Sequence, residues 1–351
     1  MKKIEVTYKS PSNIALVKYW GKKSKGTQLP ANSSISFTLA DLYTTTTVEA
    51  MPTEDKLTEP EFMFHLGGLP KPGFEPKIRA FLKRIWDGYT FLHTHRLLIS
   101  SSNNFPHGAG IASSAAGFSA LALCMVDLQA QFCGQACGNP LKEASRISRL
   151  GSGSACRSMF SQPAVWGKTS KVADSDDEYA VPFTNTHEAF STWKDIILIV
   201  DAEEKSVSST DGHAQLDNNV YASARYEAAK NSMDKMIDAL TKHNLPAFIH
   251  TVESEALQLH AMMMASPMHY ILIEPNTLKI IQKIWQFRAE TFLPLCFTLD
   301  AGANVHLLYD GKEEEKIKNF VENDLLPYCH ERTYFCSNLG GQPEKLEQSE
   351  Q

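Results

Sequence analysis

No run of about 18 apolar residues occurs in this 351-residue chain, so no transmembrane helix is expected. The opening residues, Met-Lys-Lys-Ile-Glu-Val-Thr-Tyr, lack the apolar core of a signal peptide and read as a strand. An excess of basic charge is missing too. The net charge of −6 argues against a general binder of nucleic acid or of membrane surfaces. An anionic ligand would therefore need a local cluster of basic residues. Paired cysteines are scarce: the seven are scattered, and the closest spacing, Cys133-x-x-x-Cys137, has no second pair to complete a zinc site. Reduced thiols in a cytoplasmic protein are expected. There is no internal repeat, low-complexity tract or long linker. Two common nucleotide signatures are also absent. Gly21-Lys22-Lys23-Ser24-Lys25-Gly26-Thr27 lacks the lysine that follows the second glycine of a P-loop, and no strand-coupled Gly-x-Gly-x-x-Gly occurs.

What remains is ordinary globular composition, 43% hydrophobic and 21% charged, at a length that fits one large domain or two coupled ones. Residues 1–50 read as β-rich, with strands at Ile4–Tyr8, Ile14–Tyr19, Ser34–Leu39 and Thr44–Ala50. The Pro- and Gly-rich stretch 51–75 reads as loop. Helical spacing covers 76–92, with Ile78, Phe81, Leu82 and Ile85 on one face. A strand at 95–101 precedes helices at 114–131 and 141–150. Then follow a buried strand at 192–201, helices near 217–242, 246–263 and 275–290, and a hairpin of Leu295–Leu299 with Val305–Tyr309. The last ten or so residues are polar and expected to fray. Strands and helices mix without strict βαβ alternation, which predicts an α+β fold. A composition shift near 186–192 marks a candidate boundary between lobes.

The segment Pro106-His107-Gly108-Ala109-Gly110-Ile111-Ala112-Ser113-Ser114-Ala115 carries the clearest chemical signal. A small-residue turn between a strand and a helix leaves N–H groups at the positive end of the helix dipole, where a phosphate binds. Ser113 and Ser114 add hydroxyls for phosphate or Mg²⁺. A tight turn with Ser113 as helix N-cap would use the same residues. Lys18 interrupts an apolar strand, so it either faces solvent as edge lysines do or pairs with an acid. Asp300, where another apolar strand ends in a small-residue turn, is a candidate partner or a turn-forming Asx residue. Arg157 follows Gly151-Ser152-Gly153-Ser154, where its fork suits a carboxylate or phosphate, or merely decorates a surface loop. His250 and His260, near Glu253 and Glu255, have poor metal spacing and read as polar surface. The methionine run within 261–268 reads as core packing.

Taken in order, these segments resemble the GHMP kinase superfamily, and within it the diphosphomevalonate decarboxylase family, from about residue 8 to 310. The resemblance rests on Ser-Pro-Ser-Asn-Ile-Ala-Leu-Val-Lys-Tyr-Trp-Gly-Lys at 10–22, Leu-Pro-Ala-Asn-Ser-Ser-Ile-Ser at 29–36 and Asn-Asn-Phe-Pro-His-Gly-Ala-Gly-Ile-Ala-Ser-Ser-Ala-Ala-Gly at 103–117. It continues through Gly-Ser-Gly-Ser-Ala-Cys-Arg-Ser at 151–158, Val-Ser-Ser-Thr-Asp-Gly at 207–212 and Asp-Ala-Gly-Ala-Asn at 300–304. The loop alone identifies the superfamily; the first and fourth blocks point to the decarboxylases.

The resemblance implies an α+β GHMP kinase fold. An N-terminal lobe like domain 2 of ribosomal protein S5 would span 1–188, a ferredoxin-like C-terminal lobe 189–340, and a polar tail 341–351, with a cleft between the lobes. It implies ATP and Mg²⁺ as cofactors and mevalonate 5-diphosphate as substrate, with no nucleic-acid or membrane partner, in a cytoplasmic homodimer. ATP would phosphorylate the 3-hydroxyl; phosphate and carbon dioxide would then leave, giving isopentenyl diphosphate. Asp300 would take the hydroxyl proton, with Lys18 beside it and Asn13 holding the pair. Arg157 would grip the substrate carboxylate. Tyr19, Lys22, Ser152, Ser154 and Ser209 would hold the diphosphate. Pro106, His107, Gly108, Ala109, Gly110, Ile111, Ala112, Ser113 and Ser114 would cradle ATP, and Ser113 and Ser114 would lie nearest the metal.

The chain departs from the family pattern in places. His107-Gly108 stands where eukaryotic members carry Thr-Ala, Ser161-Gln162-Pro163 replaces a Gly-Gly pair, and Thr210 replaces an arginine of some bacterial members. The 261–268 run differs from the usual Thr-rich, Pro-Pro sequence. A mevalonate 3-kinase, a phosphomevalonate decarboxylase or a non-catalytic ligand-binding homologue are the rival readings. Retention of Arg157, Tyr19 and Lys22 favours the decarboxylase acting on the diphosphate over the related enzymes, and the intact set of Lys18, Arg157 and Asp300 argues against a non-catalytic homologue.

Overall fold

A computed structural model describes residues 3–23, 28–106, 110–134, 138–203 and 219–347. Two long antiparallel strands begin the first sheet, which has eight strands among the described residues. β1 spans Ile4–Val17 and β2 spans Ser34–Pro52, each replacing two shorter strands expected from the sequence. The polar breaks at Pro11-Ser12 and after Leu39 do not end the strands. They are absorbed as register shifts, at Pro11/Ser12 and again at Ala15/Val17. In β2, residues 44 to 50 alternate buried and half-buried, and β-branched threonines suit that half-covered surface.

The stretch expected as loop contains two further strands, β3 (Phe62–Leu66) and β4 (Leu69–Pro70). β5 (His95–Asn103) lies between β2 and β3 and runs parallel to β3. Short strands β6 (Ala164–Trp166) and β7 (Ala180–Pro182) extend β2 on a side branch. The second sheet has order β11-β8-β10-β9, from β8 (Trp193–Leu198), β9 (Leu295–Leu299), β10 (Val305–Asp310) and β11 (Tyr334–Asn338). β9 and β10 form the expected hairpin. The polar C-terminal stretch does not simply fray: β12 (Glu344–Leu346) pairs with the outer edge of β1.

Helices α1 (Glu75–Ile85), α2 (Ser113–Cys133) and α3 (Pro140–Gly151) cover the first sheet. α2 is long and apolar on most of its surface, and that surface is consumed in the protein core. The second sheet carries α4 (Ala222–Lys242), α5 (Leu245–Met264), α6 (Pro275–Thr291) and α7 (Glu314–Phe320). Their boundaries follow local chemistry. Asn139 and Asn244 cap α3 and α5 by accepting from backbone N–H groups, and each is followed within two residues by a proline. Glu274 and Thr277 form a capping box on α6.

One core cluster joins the two sheets. Ile14, Leu16, Ile35 and Phe37 of the first pack with Trp193, Ile197, Cys296 and Leu308 of the second, and with Met233, Ile237 and Phe248 from α4 and α5. The ends of β1 and β9 therefore meet over a continuous apolar floor. The six described cysteines are all free thiols.

Candidate functional site

A cavity of about 790 Å³ opens where β1, the start of α2, the segment after α3 and the β9–β10 turn converge. Asn13, Lys18, Tyr19, Lys22, Ser152, Ser154, Arg157 and Asp300 line it, together with Gly110, Ile111, Ala112, Ser113 and Ser114. Pro106 is exposed and lies outside the lining. His107, Gly108, Ala109 and Ser209 fall outside the described residues.

Lys18 follows the last residue of β1 and is buried, so it is not the solvent-facing edge lysine that its sequence context allows. Its Nζ donates to the Ala15 carbonyl at 2.7 Å and stands 3.9 Å from Asp300 Oδ1. Burial lowers its pKa from 10.5 to about 8, against the pull of Asp300 and then of Glu255. Asp300 sits in a turn pinned by Asn304. The Asn304 side chain accepts from the N–H groups of Val200 and Asp201 at 2.7 and 2.9 Å and donates to the Asp201 carbonyl at 3.0 Å. The Gly302 N–H closes the turn onto the Asp300 carbonyl.

Arg157 lies in a short 3₁₀ segment, Gly153–Met159, and is 2% exposed. Its Nε donates to Ser36 Oγ at 3.0 Å and its Nη1 to Ser34 Oγ at 2.8 Å. No described carboxylate forms an ion pair with it. Burial lowers its pKa, yet a guanidinium stays charged at any ordinary pH. Its guanidinium also lies 5.9 Å from the Trp166 ring centroid and feels the charge of Asp300, so a cation hydrogen-bonded only to hydroxyls lines the cavity where an anion can meet it. Asn13 donates to Ser158 Oγ at 2.7 Å and to the Ser154 carbonyl at 3.2 Å, tying β1 to this segment.

Tyr19 packs against Trp166 with ring centroids 4.5 Å apart and the planes tilted by 55°. Glycine at 153 is required here, because a Cβ would come within 2.7 Å of the Tyr19 ring. Gly21 adopts φ +101° and passes so close to the Tyr226 hydroxyl that a side chain is excluded, and Lys22 follows it into the cavity.

The α2 N-terminus is reached through Gly110 (φ +79°) and Ala112 (φ +47°). Ala112, not Ser113, occupies the N-cap position and has no side-chain cap. The Ser12 hydroxyl donates to the Ile111 carbonyl, anchoring this turn to β1, and Ser114 Oγ lies 3.2 Å from Ser152 Oγ. The first turn of α2 thus borders the cavity with its dipole's positive end. Among the described residues no cluster of three or more His, Cys, Asp or Glu is placed to hold a metal. Hydroxyls without such a carboxylate cluster suit a magnesium ion carried by phosphates rather than caged by protein.

Beyond α2 the cavity becomes apolar, lined by Phe64, Leu66, Phe74, Ile78, Ile99, Phe118 and Leu121. Lys77 stands over Phe118 at 5.2 Å, and the surrounding walls and nearby Lys22 lower its pKa. The sequence does not reveal this end, because 51–75 reads as loop and Phe118 lies in an apolar helix with nothing to single it out. Nor does it single out Ser34 and Ser36, which sit in a recognised block with no role assigned. Glu255 and His260 are not polar surface: both are buried, at 0% and 1% exposure, and both touch the site. His250 is exposed as expected. Of the methionine run, Met262 and Met263 are buried against Trp20 and Ala301, whereas Met268 is exposed.

Residues 10–179 match the diphosphomevalonate decarboxylase-like N-terminal domain, and residues 195–351 the mevalonate 5-diphosphate decarboxylase C-terminal domain. The chain is 31% identical to the diphosphomevalonate decarboxylase of Candida albicans over 327 residues, covering 89% of this chain and 86% of that one. The Bos taurus diphosphomevalonate decarboxylase is also 31% identical, over 86% of this chain and 76% of its own. A mevalonate diphosphate decarboxylase structure from Staphylococcus aureus superposes with TM-score 0.84 at 26% identity, over 99% of both chains. A structure described as MDDEF in complex with MVAPP, AMPPCP and magnesium superposes with TM-score 0.85, at 26% identity over 99% of this chain and 100% of that one. Two sheets sharing a core, a cavity at their meeting point and relatives matched along nearly the whole length lead to one statement: this chain belongs to the diphosphomevalonate decarboxylase family.

Proposed function

We propose that the chain catalyses the ATP-dependent decarboxylation of (R)-5-diphosphomevalonate to isopentenyl diphosphate, releasing ADP, phosphate and carbon dioxide. The observation that carries this reading is the meeting of Lys18 and Asp300 at 3.9 Å in a cavity that Arg157 also lines. The substrate carries a tertiary hydroxyl, a carboxylate and a diphosphate. Asp300 orients the hydroxyl and accepts its proton as the new O–P bond forms and ADP departs. Lys18 keeps that carboxylate ionised and offsets charge on the transferred group. The C3–O bond then breaks with its electron pair leaving on phosphate. The bond to the carboxylate breaks next, its electrons forming the carbon–carbon double bond as carbon dioxide departs.

Arg157, held by Ser34 and Ser36, orients the carboxylate without excess stabilisation of the ground state. Tyr19, Lys22, Ser152 and Ser154 take the diphosphate, and the α2 N-terminus takes the phosphates of ATP. The apolar end accepts the base. The Ser113 and Ser114 hydroxyls would lie nearest a magnesium ion bound with ATP, which would neutralise part of the phosphate charge. The proposal includes a cytoplasmic homodimer, which sedimentation would check.

The test incubates purified protein with ATP and, in turn, mevalonate, its 5-phosphate and its 5-diphosphate. Carbon dioxide and phosphate released in equal amounts, fastest from the diphosphate, are expected. Phosphoryl transfer without carbon dioxide would instead identify a kinase, and preference for the monophosphate a different decarboxylase.

A further inference from the structure

The proposed chemistry depends on one separation, 3.9 Å between Lys18 Nζ and Asp300 Oδ1. The two residues come from different sheets: Lys18 follows β1 and Asp300 follows β9. Helix α5 touches both. The β1 ladder ends at Val17, so the Lys18 N–H needs an acceptor outside the sheet. Glu255 provides it, with Oε2 at 3.0 Å. The same carboxylate is forked by Arg225 of α4, at 3.2 Å to Oε1 and 2.5 Å to Oε2. Five residues along α5, roughly 7.5 Å by helical rise, His260 Nε2 lies 3.0 Å from the Asp300 carbonyl. A carbonyl only accepts, so Nε2 carries the proton.

Both grips are on main-chain atoms. They leave the Lys18 ammonium and the Asp300 carboxylate turned to the cavity while fixing the backbone that carries each. We infer that Glu255 and His260 are positioning residues, two arms of one helix that set where Lys18 and Asp300 stand relative to each other. The inference rests on the roles proposed for Lys18 and Asp300. The charged groups facing Lys18 are Asp300 from the β9–β10 turn, Glu255 from α5, Arg157 from the 3₁₀ segment and Asp195 from β8. Glu255 thus adds charge as well as position.

The experiment uses the full chain with ATP and mevalonate 5-diphosphate. In His260→Gln the amide nitrogen reaches about as far as Nε2; in His260→Asn it stops short. Misplacement by about 1 Å costs on the order of 100-fold, so His260→Asn should lose about that in kcat with both KM values within roughly threefold. His260→Gln should recover to within about tenfold of the parent enzyme. Equal kcat in the two variants, or an effect confined to KM, overturns the His260 role. Glu255→Met combined with Arg225→Met leaves no lone buried charge and removes the acceptor of the Lys18 N–H. It should move the alkaline limb of kcat to lower pH, and an unmoved limb overturns the Glu255 role. Asp300→Asn is assayed alongside. Turnover in that variant removes the underlying reading. An inactive Asp300→Asn beside a fully active His260→Asn removes this inference alone.

Discussion

Arg157 and Arg225 are both buried, at 2% and 4% exposure, and their partners differ in kind. Arg225 forks onto the Glu255 carboxylate, whereas Arg157 donates to two serine hydroxyls. Replacing each with methionine should separate stability from function. Arg225→Met strands a charged Glu255 in the interior, and breaking a buried pair from one side costs about 3–5 kcal/mol. Arg157→Met removes a cation whose burial costs several kcal/mol, and forfeits two charge-assisted hydrogen bonds of about 1.5–3 kcal/mol each. Those terms nearly cancel, so its stability should change by less than about 2 kcal/mol. Activity should rank the opposite way. Losing Arg157 removes the group proposed to face the substrate carboxylate, an effect on the order of 100- to 1,000-fold in turnover for one preorganised donor. Urea midpoints followed by tryptophan fluorescence, with turnover measured on the same preparations, give both readings. Mevalonate 5-diphosphate at about 100 times its Kd should add about 2.7 kcal/mol to the parent enzyme and much less to Arg157→Met. Equal destabilisation by the two substitutions would refute the distinction between a structural and a waiting arginine.

Turnover should fall as pH rises through about 8, where Lys18 loses its proton, and a pH–kcat profile checks this. Stability moves the other way. Because the folded-state value lies below 10.5, the unfolded chain binds more protons between about 8 and 10.5, and the penalty from Lys18 is relieved as pH climbs that window. Urea midpoints of the parent and Lys18→Met at pH 7.5 and 10 should therefore converge. Gly153→Ala places a Cβ 2.7 Å from the Tyr19 ring and should raise KM for the diphosphate substrate about tenfold, at an overpacking cost of about 1–3 kcal/mol. Gly151→Ala collides with Phe118 at 2.0 Å and should weaken ATP binding by a similar factor while leaving the diphosphate KM near that of the parent; calorimetry distinguishes the two.

Long periodic segments of the fold were legible in the sequence, as α2, α5 and the β9–β10 hairpin illustrate. The joins were not. Pro11-Ser12 looks like a break because proline cannot donate to a ladder, yet a local register shift carries β1 through it. β3 is five residues long and sits among Pro and Gly, where local composition outweighs a pairing made with β5, some thirty residues away. At the site, residues in contiguous blocks could be singled out, because small residues, hydroxyls and one cation crowd together in the chain. Glu255 and His260 could not. Polar residues on a helix read as solvent-facing until their partners are known, and theirs are Arg225, the Lys18 N–H and the Asp300 carbonyl. Ser34 and Ser36 acquire meaning only once Arg157 folds over them, more than a hundred residues later.

The pairing of β12 with β1 has a consequence for biosynthesis. β1 leaves the ribosome long before β12, and its outer edge at Thr7–Lys9 is closed by residues 344 to 346, with Lys9 meeting Glu344 across 335 positions of sequence. Until that stretch emerges, the nascent protein presents an open strand edge, the feature that most readily recruits a neighbouring chain. Aggregation during expression should therefore respond to changes at Glu344–Leu346 far more than the small buried area there would indicate. A fusion that delays release of this segment would lengthen the time the edge stays exposed.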